Sequence, residues 1–216
     1  MPLPPGWSAA ATITTRSTMP WRGHVWRDHA SRFSATSPDG SLIFSGRYNR
    51  GRDSLLPAHE IWPALYFALA PEIALEEVSR HLVSGVPKQV QDLLARNPAM
   101  TPEELGETAH VLLSGLNARL LSEISVELSD VLDCRDVEAM GLKPPDVEPA
   151  DLFHDTDFIV GQELGAAIVA RGHEAMVIPS ATHLGDNLIV FPTNLQPGSR
   201  IQFVGSRSPS SYVDRR

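Results

Sequence analysis

Residues 157–204 read DFIVGQELGAAIVARGHEAMVIPSATHLGDNLIVFPTNLQPGSRIQFV, and the succession of patterns in this stretch decides the fold. Asp157 to Arg171 carries apolar residues at helical spacing, and Gly172 stands where a helix stops. Three short apolar or alternating runs follow, Ala175 to Ile178, Asn187 to Phe191 and Arg200 to Val204, separated by Pro, Gly and Asn turns. Runs joined so closely pair as hairpins, which predicts an α+β domain rather than a doubly wound parallel sheet. The absence of Gly-x-Gly-x-x-Gly tells further against a dinucleotide fold of the Rossmann kind.

Towards the N-terminus, Ile124, Val126 and Leu128 alternate with Ser125, Glu127 and Ser129, the signature of a half-buried strand. Ser41 to Ser45 reads as a short strand running into Gly46, and Ala64 to Ala70 as a buried one. A helix is predicted to begin near Pro71 and to run through Val83 to Gly85. Thr101-Pro102-Glu103-Glu104 is a capping box, so 87–117 is expected to add a helix or a helical pair. Lys143 to Pro149 is a Pro-rich surface connection. The expected division is a loose tail over 1–20, one domain over 21–205 with 87–117 as an insertion, and a second tail over 206–216.

A chain of 216 residues with 42% hydrophobic content is of the right size for one core. Pro2, Pro4, Pro5 and Pro20 interrupt the first twenty residues, which lack the apolar run of a secretory signal. No stretch approaches the roughly 20 apolar residues that span a bilayer, so a soluble protein without membrane partners is expected. The single cysteine, Cys134, excludes an internal disulfide and suits a reducing compartment, which points to the cytoplasm.

A net charge of −8 argues against a nucleic-acid surface over the whole molecule. The charge is unevenly spread: residues 16–52 hold seven arginines against Asp28 and Asp39, leaving +5 there and −13 elsewhere. Trp21, Trp26, Phe33, Phe44 and Tyr48 lie among those arginines. Guanidinium forks grip phosphate oxygens and aromatic faces stack on bases, so a nucleotide-like anion suits the mixture. A solvated basic surface over an aromatic core suits it as well.

Individual residues narrow the chemistry. On a helix starting at Pro71, Glu76 falls with Glu72 and Arg80 away from Leu75, Val78 and Leu82. Glu77 lies instead on the flank of the apolar stripe, near Ile73, Ala74 and His81. A carboxylate there either stabilises positive charge developing on a sugar, or pairs at the boundary with Arg80 or His81. Gly46-Arg47-Tyr48-Asn49 forms a turn that presents Arg47, and Pro179-Ser180-Ala181 puts a hydroxyl at a strand end, where it donates to a ligand or caps the turn. Ser180, His183 and Asp186 lack the Gly-x-Ser-x-Gly elbow of a hydrolase triad. The eight histidines show no metal-ligand spacing, so no metal is expected.

Taken in order, these pieces resemble the RES domain. Trp26-Arg27 with His29 is the better candidate for its opening aromatic-Arg pair, against Trp21-Arg22. Ser45-Gly46-Arg47-Tyr48-Asn49 matches its glycine-arginine turn, and Tyr66 precedes Glu77-Val78 at the family's spacing. Ile124 to Leu132, Gly165 to Ile168, Ile178-Pro179-Ser180-Ala181 and Asn187 to Phe191 match later elements, over about residues 22–195. Ser45 and Tyr48 replace the family's usual glycine and tryptophan, and the interval from Arg47 to Tyr66 is longer than usual.

The resemblance implies an ADP-ribosyltransferase-like core of two small, mostly antiparallel sheets around a cleft that grips NAD⁺. It implies a toxin-like enzyme that cleaves the nicotinamide-ribose bond, with water or inorganic phosphate as acceptor and no further cofactor. Arg27 and Arg47 would then bind the diphosphate or ribose side, Tyr66 stack near nicotinamide, Glu77 serve the ribose or its transition state, and Ser180 hydrogen-bond in the cleft. A small helical antitoxin of Xre type is the implied partner. Transfer of ADP-ribose to a macromolecule, or a catalytically silent nucleotide- or partner-binding module, are the rival readings.

Overall fold

A computed structural model describes residues 6–77, 119–136, 138–141 and 158–208. The expected insertion over 87–117 with its capping box, the helix beyond 77, the connection over 143–149 and the chain after 208 lie outside the described residues.

Two long strands, β1 (Thr18–Ala30) and β3 (Arg119–Asp133), pair antiparallel from Thr18↔Leu132 to Ala30↔Arg119, with an irregularity between Met19 and Trp21. On its other side β1 touches β2 (Leu65–Ala68) through Trp26↔Ala68. From β2 the sheet continues through β5 (Asp186–Val190) and β4 (Ala175–Pro179) back to β3, so five strands close on themselves. β6 (Arg200–Arg207) adds to the other part of β3. Among the described strands only β3 and β4 run parallel, so the mostly antiparallel expectation holds. The two separate sheets implied by the resemblance do not: the described strands form one sheet, because β3 is long enough to pair with β6 at one end and β4 at the other.

Closure explains why the central strands read as unbroken apolar runs: each is buried on both faces. Ala175 and Val177 of β4 point with Leu65, Phe67, Leu188, Val190, Ile124 and Val126 into one cluster. Met176, Ile178, Ile189 and Leu132 alternate to the opposite face and meet a second cluster. Helix α4 (Ile159–Arg171) covers that second face with Val160, Leu164 and Ile168 and stops at Gly172, whose φ of 80° is left-handed. Each such fully buried aliphatic side chain contributes about 1.5–3 kcal/mol.

Two further expectations are corrected. Ser41 to Ser45 is not a strand: Asp39–Ile43 forms a short helix, α2, entered from Pro38 with Asp39 in its first turn. Nor is 1–20 a loose tail throughout, since Ala9–Thr14 forms helix α1, capped by the Ser8 side chain, and buries Ala9 and Ile13 against the cluster under α4. Strand β1 itself was hidden in the Arg- and Trp-rich segment. A further helix, α3, starts at Pro71 as expected and is described over 71–77. Among the described residues no helix is long and apolar enough to cross a membrane.

Candidate active site

The turn over 46–49 is held by side chains that bond its backbone. Tyr66 on β2 accepts from the Tyr48 N–H at 2.9 Å and donates to Asn49 Oδ1 at 2.8 Å. Asn49 Nδ2 donates to the carbonyls of Ser41 and Phe44 at 2.6 and 3.1 Å, tying the turn to α2. Trp62 Nε1 donates to the Tyr48 carbonyl at 3.0 Å, and Gln162 Nε2 to the Gly46 carbonyl at 3.1 Å. Helix α4 comes this close because it presents glycines: a Cβ on Gly161 would sit 2.3 Å from the Arg47 carbonyl oxygen, and one on Gly165 2.2 Å from that of Tyr48. Gly46 is likewise required, since its Cβ would lie 2.6 Å from the Tyr66 hydroxyl oxygen.

This clamp fixes the backbone from which Arg47 projects. Its guanidinium lies over the Tyr48 ring at 6.0 Å, and its Nε is buried without a hydrogen-bond partner. The Tyr48 and Tyr66 rings stack at 6.1 Å. Burial pushes both phenol groups well above the ordinary tyrosine range. Arg47 lowers each and Glu77 raises each, so guanidinium and carboxylate both act on the same pair of hydroxyls.

Glu77 reaches the site from α3. The β4–β5 hairpin is in register through Ile178↔Asn187 and Pro179↔Asp186, and the Ser180 N–H closes its loop on the Gly185 carbonyl at 2.8 Å. Its neighbour β2 pairs through Ala68↔Asn187 and leads directly into α3, whose Ile73 packs against Gly185. Glu77 Oε1 thereby accepts from Ser180 Oγ at 2.8 Å and Asn187 Nδ2 at 2.6 Å. Ser180 is fully buried, shares a hydrogen bond with Thr182 Oγ1 at 3.0 Å and accepts from the Thr182 N–H at 3.2 Å. Asn187 Oδ1 is buried with no partner, a condition that costs about 1–3 kcal/mol.

Of the residues singled out from sequence, Glu77 and Ser180 are thus in direct contact, and Arg47 and Tyr66 belong together to the turn over 46–49. Arg27 stands apart. Its Nη1 donates to the carbonyls of Ala35 and Ser37 at 2.8 and 2.9 Å, and burial, then Arg119, pushes its guanidinium down to about 10. It braces the loop that leads into α2, and only through α2 and Asn49 does it reach the Arg47 turn. The triad is excluded by contacts as well, since Ser180 serves Glu77 and Asp186 faces Arg135 at 3.7 Å.

Sequence reasoning missed Asn49, Gln162, Thr182 and Asn187. For Asn187 a signal existed: it is the polar residue in the run Asn187 to Phe191, on a strand buried on both faces. Gln162 acts on a carbonyl far along the chain and left no local pattern, whereas Asn49 bonds the nearby carbonyls of Ser41 and Phe44 and stood in the quoted turn without a role of its own.

Residues 20–210 match the family model of the RES domain. A chain in the crystal structure of the MbcT–MbcA toxin–antitoxin complex from M. tuberculosis is similar in fold, with a TM-score of 0.63, 21% identity and 95% of each chain covered. No curated protein matches the sequence. The family match spans well over half of the chain, which therefore belongs to the RES domain family.

Proposed function

We propose, on the premise of that membership, that the protein is a toxin-like enzyme that consumes NAD⁺ by breaking the bond between nicotinamide and ribose. The observation that carries the reading is the Glu77 carboxylate, held at one oxygen by Ser180 Oγ and Asn187 Nδ2. In the step, the C1′–N bond breaks with its electron pair leaving on nicotinamide, which departs neutral. Positive charge then spreads over C1′ and the ring oxygen. Glu77 stabilises that charge or fixes a ribose hydroxyl beside it, and Arg47 takes the diphosphate. Tyr66 keeps the turn in place and offers its ring to the nicotinamide side. Ser180 aims the carboxylate, and Arg27 shapes the neighbouring loop and adds positive potential.

Water or phosphate then adds at C1′, with the surplus proton of water passing to solvent. Because nicotinamide leaves from a cationic ring, positioning and electrostatics supply the chemistry without a metal or a further cofactor. The rival readings belong to the same test. Purified protein is incubated with NAD⁺ labelled in the ADP-ribose part, and free nicotinamide is followed. Nicotinamide release with label in small molecules supports cleavage, label fixed on a macromolecule supports transfer, and binding without turnover supports a silent module.

An antitoxin partner is part of the proposal. The similar structure is a toxin–antitoxin complex. Here Phe44 and Leu55, on either side of the Arg47 turn, are 65% and 92% exposed, and Ile159 at the start of α4 is 45% exposed. A small helical Xre-type protein covering these side chains would close the site in the cytoplasm. Co-expression with such a partner is expected to abolish nicotinamide release, and F44S with L55S to restore it.

A further inference from the structure

Of the residues that the sequence did not single out, Asn187 is the one whose placement is hardest to explain by folding alone. Strand β5 is buried along its length, and Leu188, Ile189 and Val190 supply what its position demands. Asn187 is only 5% exposed, and its backbone is already paired in register with Ile178 and Ala68. Its side chain is therefore not needed by the ladder, and an apolar residue would serve the core better.

The orientation of the amide follows from chemistry. With the amide reversed, Oδ1 would sit 2.6 Å from Glu77 Oε1, two electron-rich oxygens in contact. Nδ2 therefore faces the carboxylate, and Oδ1 is left buried without a partner. The fold carries an unsatisfied oxygen in order to put one N–H on Glu77. Ser180 brings a second donor to the same oxygen from the loop that follows β4. Two donors, one from β5 and one from the loop after β4, fix where Oε1 lies and so restrict how the carboxylate is turned.

We propose that Asn187 is a positioning residue of this site: its amide, with the Ser180 hydroxyl, anchors Glu77 through Oε1 so that the remaining oxygen is aimed at the ribose of the substrate. The inference rests on the NAD⁺-cleaving reading, and the test keeps the two apart. Full-length wild type, N187A, N187D and the double variant E77Q/N187D are compared for nicotinamide release between about pH 5 and pH 8 and for melting temperature.

Alanine is expected to lower kcat by about 100-fold with KM changed less than about twofold, because aim is lost and binding is not. Aspartate keeps the shape but opposes two carboxylates, so at the alkaline end N187D falls below N187A. Towards the acid end N187D recovers, as its protonated carboxyl again donates to Glu77. The double variant, which exchanges donor and acceptor, regains the melting temperature that N187D loses while remaining inactive. Equal losses in N187A and N187D at every pH, or a double variant no more stable than N187D, overturn the proposal. Wild type that releases no nicotinamide sinks the underlying reading instead, and the melting comparison still tests the Asn187–Glu77 pair.

Discussion

The two halves of the site are built in opposite ways. At the turn over 46–49, side chains of Tyr66, Asn49, Trp62 and Gln162 bond backbone atoms, and two glycines bring α4 into contact with the chain. At the hairpin end the bonds run from side chain to side chain, from Ser180 and Asn187 to Glu77. A backbone held by many partners is a rigid platform that tolerates little. A carboxylate held by two donors is a poised group whose loss leaves the platform standing. Damage to the first region should therefore appear as lost stability, and damage to the second as lost activity.

Gly165→Ala puts the comparison under most strain. Its methyl would lie 2.2 Å from the Tyr48 carbonyl oxygen, a backbone atom that cannot swing aside. Overpacking against so many bonds should cost about 3 kcal/mol, read as a lower midpoint in urea. Tyr66→Phe comes next: it strands the Tyr48 N–H and Asn49 Oδ1 and should cost about 2 kcal/mol in the same assay.

Ser180→Ala belongs to the other region. It should cost no more than about 1 kcal/mol, for the Thr182 N–H that loses its acceptor, yet lower the rate of nicotinamide release by at least about tenfold. An unstable Ser180→Ala with unchanged specific activity would erase the distinction.

The smallest effect lies outside both regions. His29 is buried on β1, and its Nε2 lies 2.8 Å from Ser122 Oγ. Burial foremost lowers its pKa below the ordinary value. Above about pH 6.5 the ring is neutral in both states, and the stabilisation is complete. Below that the unfolded chain takes up the proton first, so stability falls as pH drops towards the folded-state pKa, by at most about 1.4 kcal/mol per pH unit. Asp28, which burial pushes upward, acts in the opposite sense at lower pH. Thermal melts of His29→Asn between about pH 7 and pH 5 should therefore show a shallower decline than wild type.

Legibility in the sequence followed the range of the forces involved. Helix α4 and strands β4, β5 and β6 were readable because spacing, Gly172 and the turn residues act within a few positions. The same logic located Glu77 beside an apolar stripe and Ser180 at a strand end. Helix α2 was misread because Ser-Leu-Ile-Phe-Ser is apolar enough for either state, and the deciding Pro38-Asp39 start precedes it. Helix α1 was overlooked because the prolines before it outweighed Ser8 and three alanines.

Closure of the sheet was not legible at all, since β1 and β3 meet across roughly a hundred residues and their register leaves no local trace. For the same reason the turn's partners were invisible: Trp62 and Gln162 bond carbonyls, which any residue has. Arg27 was legible as a conspicuous arginine, but its sequence did not disclose that two loop carbonyls already occupy its Nη1.

The most direct measurement is the rate at which folded wild type and E77Q release nicotinamide from NAD⁺. Glutamine preserves the shape of the side chain and removes its charge. The two proteins are expected to share a closely similar urea midpoint and to differ in rate by at least about 100-fold. Equal rates from the two, at equal stability, would contradict the role given to Glu77.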